Sequence, residues 1–165
     1  MAQDGSTHFV EKWDLLIAHP PCTYLTVTGN RWFDTEKYGD AARKRYRDRY
    51  SAIVFFMEMA LADVPKIAVE NPVGIMGTAW RKADQIIQPY MFGDPYEKQT
   101  ALWLKGLPKL IPTDIVTPPP RQVLRSGKTM PRWYSYCGGN RPKARSKTFR
   151  GIANAMADQW GKEGI

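Results

Sequence analysis

Two short apolar runs, Trp13-Asp14-Leu15-Leu16-Ile17-Ala18 and Lys66-Ile67-Ala68-Val69-Glu70, each stop at a polar residue followed by proline. The first stops at His19-Pro20-Pro21 and the second at Asn71-Pro72. Proline cannot donate to a strand ladder and restricts the residue before it, so both runs read as buried strands with defined ends. Between them, residues 40–62 read as one long helix. Asp40 is placed to cap it, and Tyr46, Tyr50, Ile53, Val54 and Met57 recur at spacings of three and four, so they are expected to face the core. Strand, helix, strand predicts an α/β fold with the two strands as parallel neighbours. Ligands in open α/β sheets bind beyond the carboxyl ends of strands, so the loops starting at Pro20 and Asn71 should share one crevice.

Further along, residues 85–91 and 99–104 suggest two more strands, the first edge-like because Pro89 interrupts it. Residues 111–147 show little periodicity, and residues 148–161 read as a closing helix with Ile152, Ala155, Met156 and Trp160 on one face. The 165 residues are expected to form a single domain (1–165), with an α/β core at 13–110, an irregular segment at 111–147 and that helix. No run approaches the ~18–20 apolar residues of a membrane span. Met1-Ala2-Gln3-Asp4-Gly5 is not a secretory signal. Cys22 and Cys137 are too few for a disulfide scaffold, so a reduced, cytoplasmic setting is expected.

Charge is concentrated in one place. Between Asp114 and Asp158 there is no acidic residue, yet the stretch holds nine cations, among them Arg121, Arg125, Lys128, Arg132, Lys143 and Arg145. The net charge is +8, and the remainder of the chain carries 15 basic and 16 acidic residues, so the whole excess lies in this block. Interleaved with Trp133, Tyr134 and Tyr136, it fits a polyanion, because cations neutralise phosphates and aromatic rings stack on bases. A solvated basic loop is the plainer alternative.

The two strand-end loops hold the reactive groups. Cys22 follows two prolines whose fixed φ would hold its thiol rigidly. Glu70 ends an apolar strand, where desolvation favours the protonated acid. A soft nucleophile beside a carboxylic acid suits addition to an electron-poor ring, with protonation of a ring nitrogen assisting. Each residue alone has an ordinary alternative, packing for Cys22 and an ion pair for Glu70. His19 either influences the thiol or packs on the loop. Cys137, His8 and His19 have no metal-ligand spacing.

Ala18-His19-Pro20-Pro21-Cys22 resembles the Pro-Cys nucleophile motif of DNA cytosine-5 methyltransferases, and Val69-Glu70-Asn71-Pro72 resembles their Glu-Asn-Val motif. Phe92-Gly93-Asp94-Pro95 through Leu102-Trp103-Leu104 is similar to the segment before the family's recognition region. Phe149-Arg150-Gly151-Ile152-Ala153-Asn154 is similar to its closing Gly-Asn motif. The similarity is to a compact, phage- and prophage-associated branch and covers roughly residues 13–160.

The resemblance implies the latter half of a Rossmann-like class I methyltransferase sheet with a small basic recognition segment. It implies that Cys22 adds to carbon 6 of a flipped cytosine, that Glu70 protonates nitrogen 3, and that carbon 5 takes a methyl group from S-adenosylmethionine. Pro21 and Asn71 would shape the loop around the base, while Lys98, Arg132, Lys143 and Arg145 would contact DNA. Asn154 would help complete the cofactor pocket.

Two departures qualify this. Where the family has paired arginines, this chain has Lys98 and Thr100. Upstream, the family's strand and glycine-containing cofactor loop have no counterpart, so weak or no S-adenosylmethionine binding by this chain alone is expected. The resemblance would also leave strand 13–18 as an exposed edge, inviting a homodimer or a complementing N-terminal half. The alternative to an enzyme is a non-catalytic remnant that binds DNA or a partner.

Overall fold

The computed structural model describes residues 11–132 and 149–162. It is a mixed α/β protein whose described strands include β1 (Leu15–Ala18), β2 (Lys66–Pro72), β3 (Gln85–Ile87) and β4 (Thr100–Lys105), in the sheet order β1-β2-β4-β3. β1 and β2 are parallel, with Leu15 opposite Lys66 and Ala18 opposite Val69. β3 and β4 are antiparallel. Among the described residues β1 is therefore an edge strand. No described helix is long and apolar enough to cross a membrane.

The chain divides into two compact units. One comprises Met1–Lys82 and Trp103–Leu107, the other Ala83–Leu102 and Pro108–Ile165. In the first, a helical turn of 3-10 type, Val27–Phe33, leads into helix α1 (Thr35–Ala60). Asp34 caps α1, its side chain accepting the Lys37 N–H. Gly39, at φ 50°, breaks the helix between this first turn and the remainder, so the regular body begins near Asp40. The sequence pattern sees that body but not the extra turn, because glycine disguises the continuation.

The buried face of α1 differs from the expected one. Tyr46, Tyr50 and Val54 are exposed, while Ala42, Phe56 and Ala60 are buried and Arg45, Arg49, Ile53 and Met57 are half-buried. The inward stripe thus runs 42, 45, 49, 53, 56, 60, at helical spacing but with arginines at two of its positions. An apolar stripe drawn through Tyr46 and Tyr50 lies rotated from it. Phe56 packs edge-on against Trp103 at 5.1 Å, and β2 buries Ile67, Ala68 and Val69. The Trp103 indole donates to the Arg81 carbonyl, which satisfies its one buried polar group.

In the second unit, strand character at 85–91 is confined to β3, and Pro89–Met91 forms a 3-10 turn because Pro89 cannot continue the ladder. The closing helix α3 spans Arg150–Trp160 and buries Ile152, Ala155, Met156 and Trp160 (the short α2 is Met76–Ala79, in the first unit). Asp94 accepts the Gly151 N–H at 2.9 Å, capping the start of α3. The Phe-Gly-Asp-Pro and Arg-Gly-Ile motifs, far apart in sequence, meet at this bond. The basic segment is not wholly irregular. β5 (Gln122–Val123) and β6 (Thr129–Met130) form a hairpin that presents Arg125 and Lys128 at an exposed tip. Trp133, Tyr134, Tyr136, Lys143 and Arg145 lie outside the described residues.

Candidate active site

Beyond Ala18 and Val69, β1 and β2 continue as partners through their side chains. Extending the register one step brings His19 opposite Glu70, and His19 Nδ1 lies 2.9 Å from Glu70 Oε2. The next step brings Pro20 opposite Asn71, whose Nδ2 donates to the Pro20 carbonyl at 2.8 Å. Successive side chains of a strand point to opposite faces, so Glu70 and Asn71 work on different sides of the same strand end. The Glu70 carboxyl faces His19 and keeps partial access to water, with side chains 15% and 37% exposed respectively. Asn71 turns inward and is 1% exposed.

Past the prolines, Leu25 and Thr26 both donate backbone N–H groups to the Cys22 carbonyl, closing a tight turn. Cys22 is half-buried, and its sulfur is a thiol outside any disulfide. The far side of this turn is stitched to the loop after β2. Ile75 N–H donates to the Leu25 carbonyl at 2.8 Å, and Thr26 and Gly74 form an antiparallel bridge. Gly74 is required there, since a Cβ would stand 2.0 Å from the Leu25 oxygen. Both strand-end loops are therefore tied together at the start, by His19–Glu70 and Asn71–Pro20, and again at Leu25–Ile75.

Helix α1 braces the same turn from a third direction. Arg45 Nη2 donates to the Thr23 carbonyl at 3.1 Å, and Arg49 Nε donates to the Tyr24 carbonyl at 2.8 Å. Arg49 Nη2 also reaches Asn30 Oδ1 at 2.7 Å, and its guanidinium lies 3.5 Å from the Phe33 ring centre. Burial draws the Arg49 guanidinium below its ordinary pKa, with Tyr46 opposing and Arg45 adding to the shift. It remains a cation at any working pH. Loop carbonyls, which a helix face of leucines would leave unsatisfied, are thereby paired.

Of the residues singled out by sequence, Pro21, Cys22, Glu70 and Asn71 belong to this cluster in the first unit. Lys98, Thr100, Arg132 and Asn154 belong to the second unit. There, Lys98 Nζ lies 5.6 Å over the Phe149 ring, Thr100 is buried with its hydroxyl bonded to the Lys98 carbonyl, and Asn154 is exposed on α3. Arg132 is exposed, and Arg121 lies 3.6 Å from Glu97. Sequence reasoning missed His19 as the partner of Glu70, and it missed Arg45, Arg49 and Gly74. The constant offset of 51 residues linking β1 to β2 would have found the first, once the strands were paired in parallel. The 42–45–49–53–56–60 spacing carried a signal for the arginines.

Comparison with family models, with curated proteins and with solved structures found no match to this chain.

Proposed function

We propose that the first unit carries the nucleophile and acid of a DNA cytosine-5 methyltransferase. The observation that carries this reading is the knitting of the Pro20-Pro21-Cys22 turn to Glu70-Asn71 at the carboxyl ends of two parallel strands. That is where an α/β sheet presents chemistry to a ligand. The motif resemblance supplies the substrate, and the edge position of β1 is consistent with further strands beside residues 13–18 in such enzymes.

In this reading the Cys22 thiolate bonds to carbon 6 of a flipped cytosine. The electron pair of the 5,6 double bond moves into the ring, and nitrogen 3 takes the proton carried by Glu70. His19 Nδ1, 2.9 Å from Glu70 Oε2, holds that carboxyl in position at the strand end. Carbon 5 is then nucleophilic. With no methyl donor it takes a proton from water and releases its original hydrogen to water as a proton; the nitrogen 3 proton then returns to Glu70 as the thiolate leaves carbon 6, which returns cytosine. S-adenosylmethionine is the methyl source in the resembling family. Asn71 and the two arginines hold the turn and do not touch the base. The excess of cations on the second unit, including the hairpin tip at Arg125 and Lys128, suits contact with phosphates. Cys22 as a thiol outside any disulfide suits a reduced, cytoplasmic setting.

The test separates attack from methylation. Oligonucleotides labelled with deuterium at cytosine carbon 5 should lose label with the wild-type chain and keep it with Cys22→Ser. With 5-fluorocytosine DNA and S-adenosylmethionine, a covalent adduct at Cys22 reports a complete site. DNA binding with neither exchange nor adduct would overturn the catalytic reading in favour of a second one, a non-catalytic binding module. The exposed cations at the β5–β6 hairpin tip, which suit phosphate contact without any bond-making step, are the observation that favours that second reading.

A further inference from the structure

A cavity of about 590 Å³ opens between the Val27–Phe33 turn and the kinked start of α1, a volume in the range of small-ligand sites. Trp32 and Tyr38, from before the Gly39 kink, and Tyr46, from the helix body after it, form part of its walls. These rings are not core residues in disguise, since Trp32 is 42% exposed and Tyr46 is 51% exposed. Arg31 and Lys37 also line the cavity, with Arg31 4.7 Å over the Trp32 ring and Lys37 5.4 Å over Tyr38. The single acid in the lining, Asp34, has one carboxylate oxygen engaged by the Lys37 N–H at 3.0 Å.

Exposed aromatic faces interleaved with cations select a ligand that is flat, aromatic and anionic. Two cations at the rim disfavour a quaternary ammonium, which aromatic cages otherwise attract. A wholly apolar ligand would leave the same two charges without a counterpart. A nucleotide satisfies both requirements, the base through stacking and the phosphate through Arg31 or Lys37. The cavity is also mechanically joined to the Cys22 turn. Asn30, in its lining, is held by Arg49, and the same guanidinium binds the Tyr24 carbonyl two residues after Cys22.

We propose that this cavity is a stacking subsite for one unpaired nucleotide of a nucleic-acid strand whose target base lies at Cys22. The proposal rests on the reading above for its choice of nucleic acid as partner. It adds a second place where the strand is gripped, through its bases rather than its sequence, and it makes a locally opened strand the preferred ligand over an intact duplex.

The full chain is titrated against a fluorescent single-stranded oligonucleotide of about ten nucleotides and against the same sequence as duplex. Trp32→Ala should weaken single-strand binding by about ten-fold, while Trp32→Phe, which keeps a stacking face, should stay within about three-fold of wild type. Arg31→Gln with Lys37→Gln should lower the slope of log affinity against log salt by about 0.7 for each phosphate that the two cations neutralise in the wild type. Unfolding curves for each variant exclude a folding defect, and recovery by phenylalanine distinguishes stacking from general damage.

Equal binding by wild type and Trp32→Ala would overturn the proposal. So would a free mononucleotide that competes as well as the oligonucleotide, since it would assign the cavity to a soluble nucleotide. Adduct formation at Cys22 is scored separately. Loss of the adduct with the Trp32 effect intact would sink the chemistry and leave the subsite, and an adduct with no Trp32 effect would do the reverse.

Discussion

Asn71→Ala removes a buried side-chain bond that ties the end of β2 to the proline turn. Asn71 is 1% exposed and its Nδ2 lies 2.8 Å from the Pro20 oxygen. Truncation leaves that carbonyl buried without its donor, a cost of about 1–3 kcal/mol. It also removes Asn71 Oδ1, which is buried with no hydrogen-bond partner among the described residues, and this offsets about 1 kcal/mol. The net loss should be about 1–2 kcal/mol. Asn71→Asp tests the geometry more sharply. An ionised carboxylate would set an acceptor against an acceptor in a desolvated site, so the acid should stay protonated when folded, its pKa above the unfolded value of ~3.9.

The folded chain then binds more protons than the unfolded one, and stability falls as pH rises from about 4 through the folded pKa. Near pH ~4 the protonated acid can still donate to the Pro20 carbonyl, and Asn71→Asp should be at least as stable as Asn71→Ala. Near pH ~7.5 Asn71→Asp should be weaker than near pH ~4 by ~1.4 kcal/mol for each unit by which its folded pKa exceeds ~3.9. Urea unfolding followed by tryptophan fluorescence, with wild type at both pH values as reference, measures this. The reasoning fails if the two variants track each other across pH, or if Asn71→Ala costs less than about 0.5 kcal/mol.

Arg49→Met should lose about 2 kcal/mol, discounted for partial exposure, because it breaks bonds to Tyr24 and Asn30 together; the exposed Arg47→Met, on the same helix, should cost little in the same unfolding assay. Gly74→Ala should cost about 1–3 kcal/mol by forcing the Leu25 carbonyl away, whereas Gly77→Ala, with open space around it, should be near neutral by thermal denaturation. Alanine at Arg125, Lys128, Arg132 or Lys143 should weaken DNA binding alike for all sequences and reduce the salt slope by about 1 for each cation that pairs with a phosphate; unchanged slopes would place the basic face elsewhere. Self-association through the β1 edge should appear as dimers or larger species in size-exclusion chromatography with light scattering, and a clean monomer at high concentration would remove that idea.

Sequence alone located β1, β2 and β4 to within a few residues, as well as the closing helix. Buried strands here are continuous apolar runs, and proline marks where they stop. It also marked Cys22, Glu70 and Asn71, because reactive and polar residues at strand ends stand out against apolar neighbours. The orientation of α1 was not legible. Its inward face pairs arginines with loop carbonyls, and a pattern that assigns charge to solvent rotates the helix toward Tyr46 and Tyr50.

The β5–β6 hairpin was not legible either, since its residues are almost all exposed and show no alternation of apolar and polar character. What only the tertiary structure decided is which groups touch. His19 meets Glu70 and Asn71 meets Pro20 because a parallel register brings together residues fifty-one positions apart, and Gly74 meets Leu25 at an antiparallel bridge between the two loops beyond it. Composition and local spacing carry no record of that register. It is set by which faces of β1 and β2 are buried together and by the helix that crosses between them.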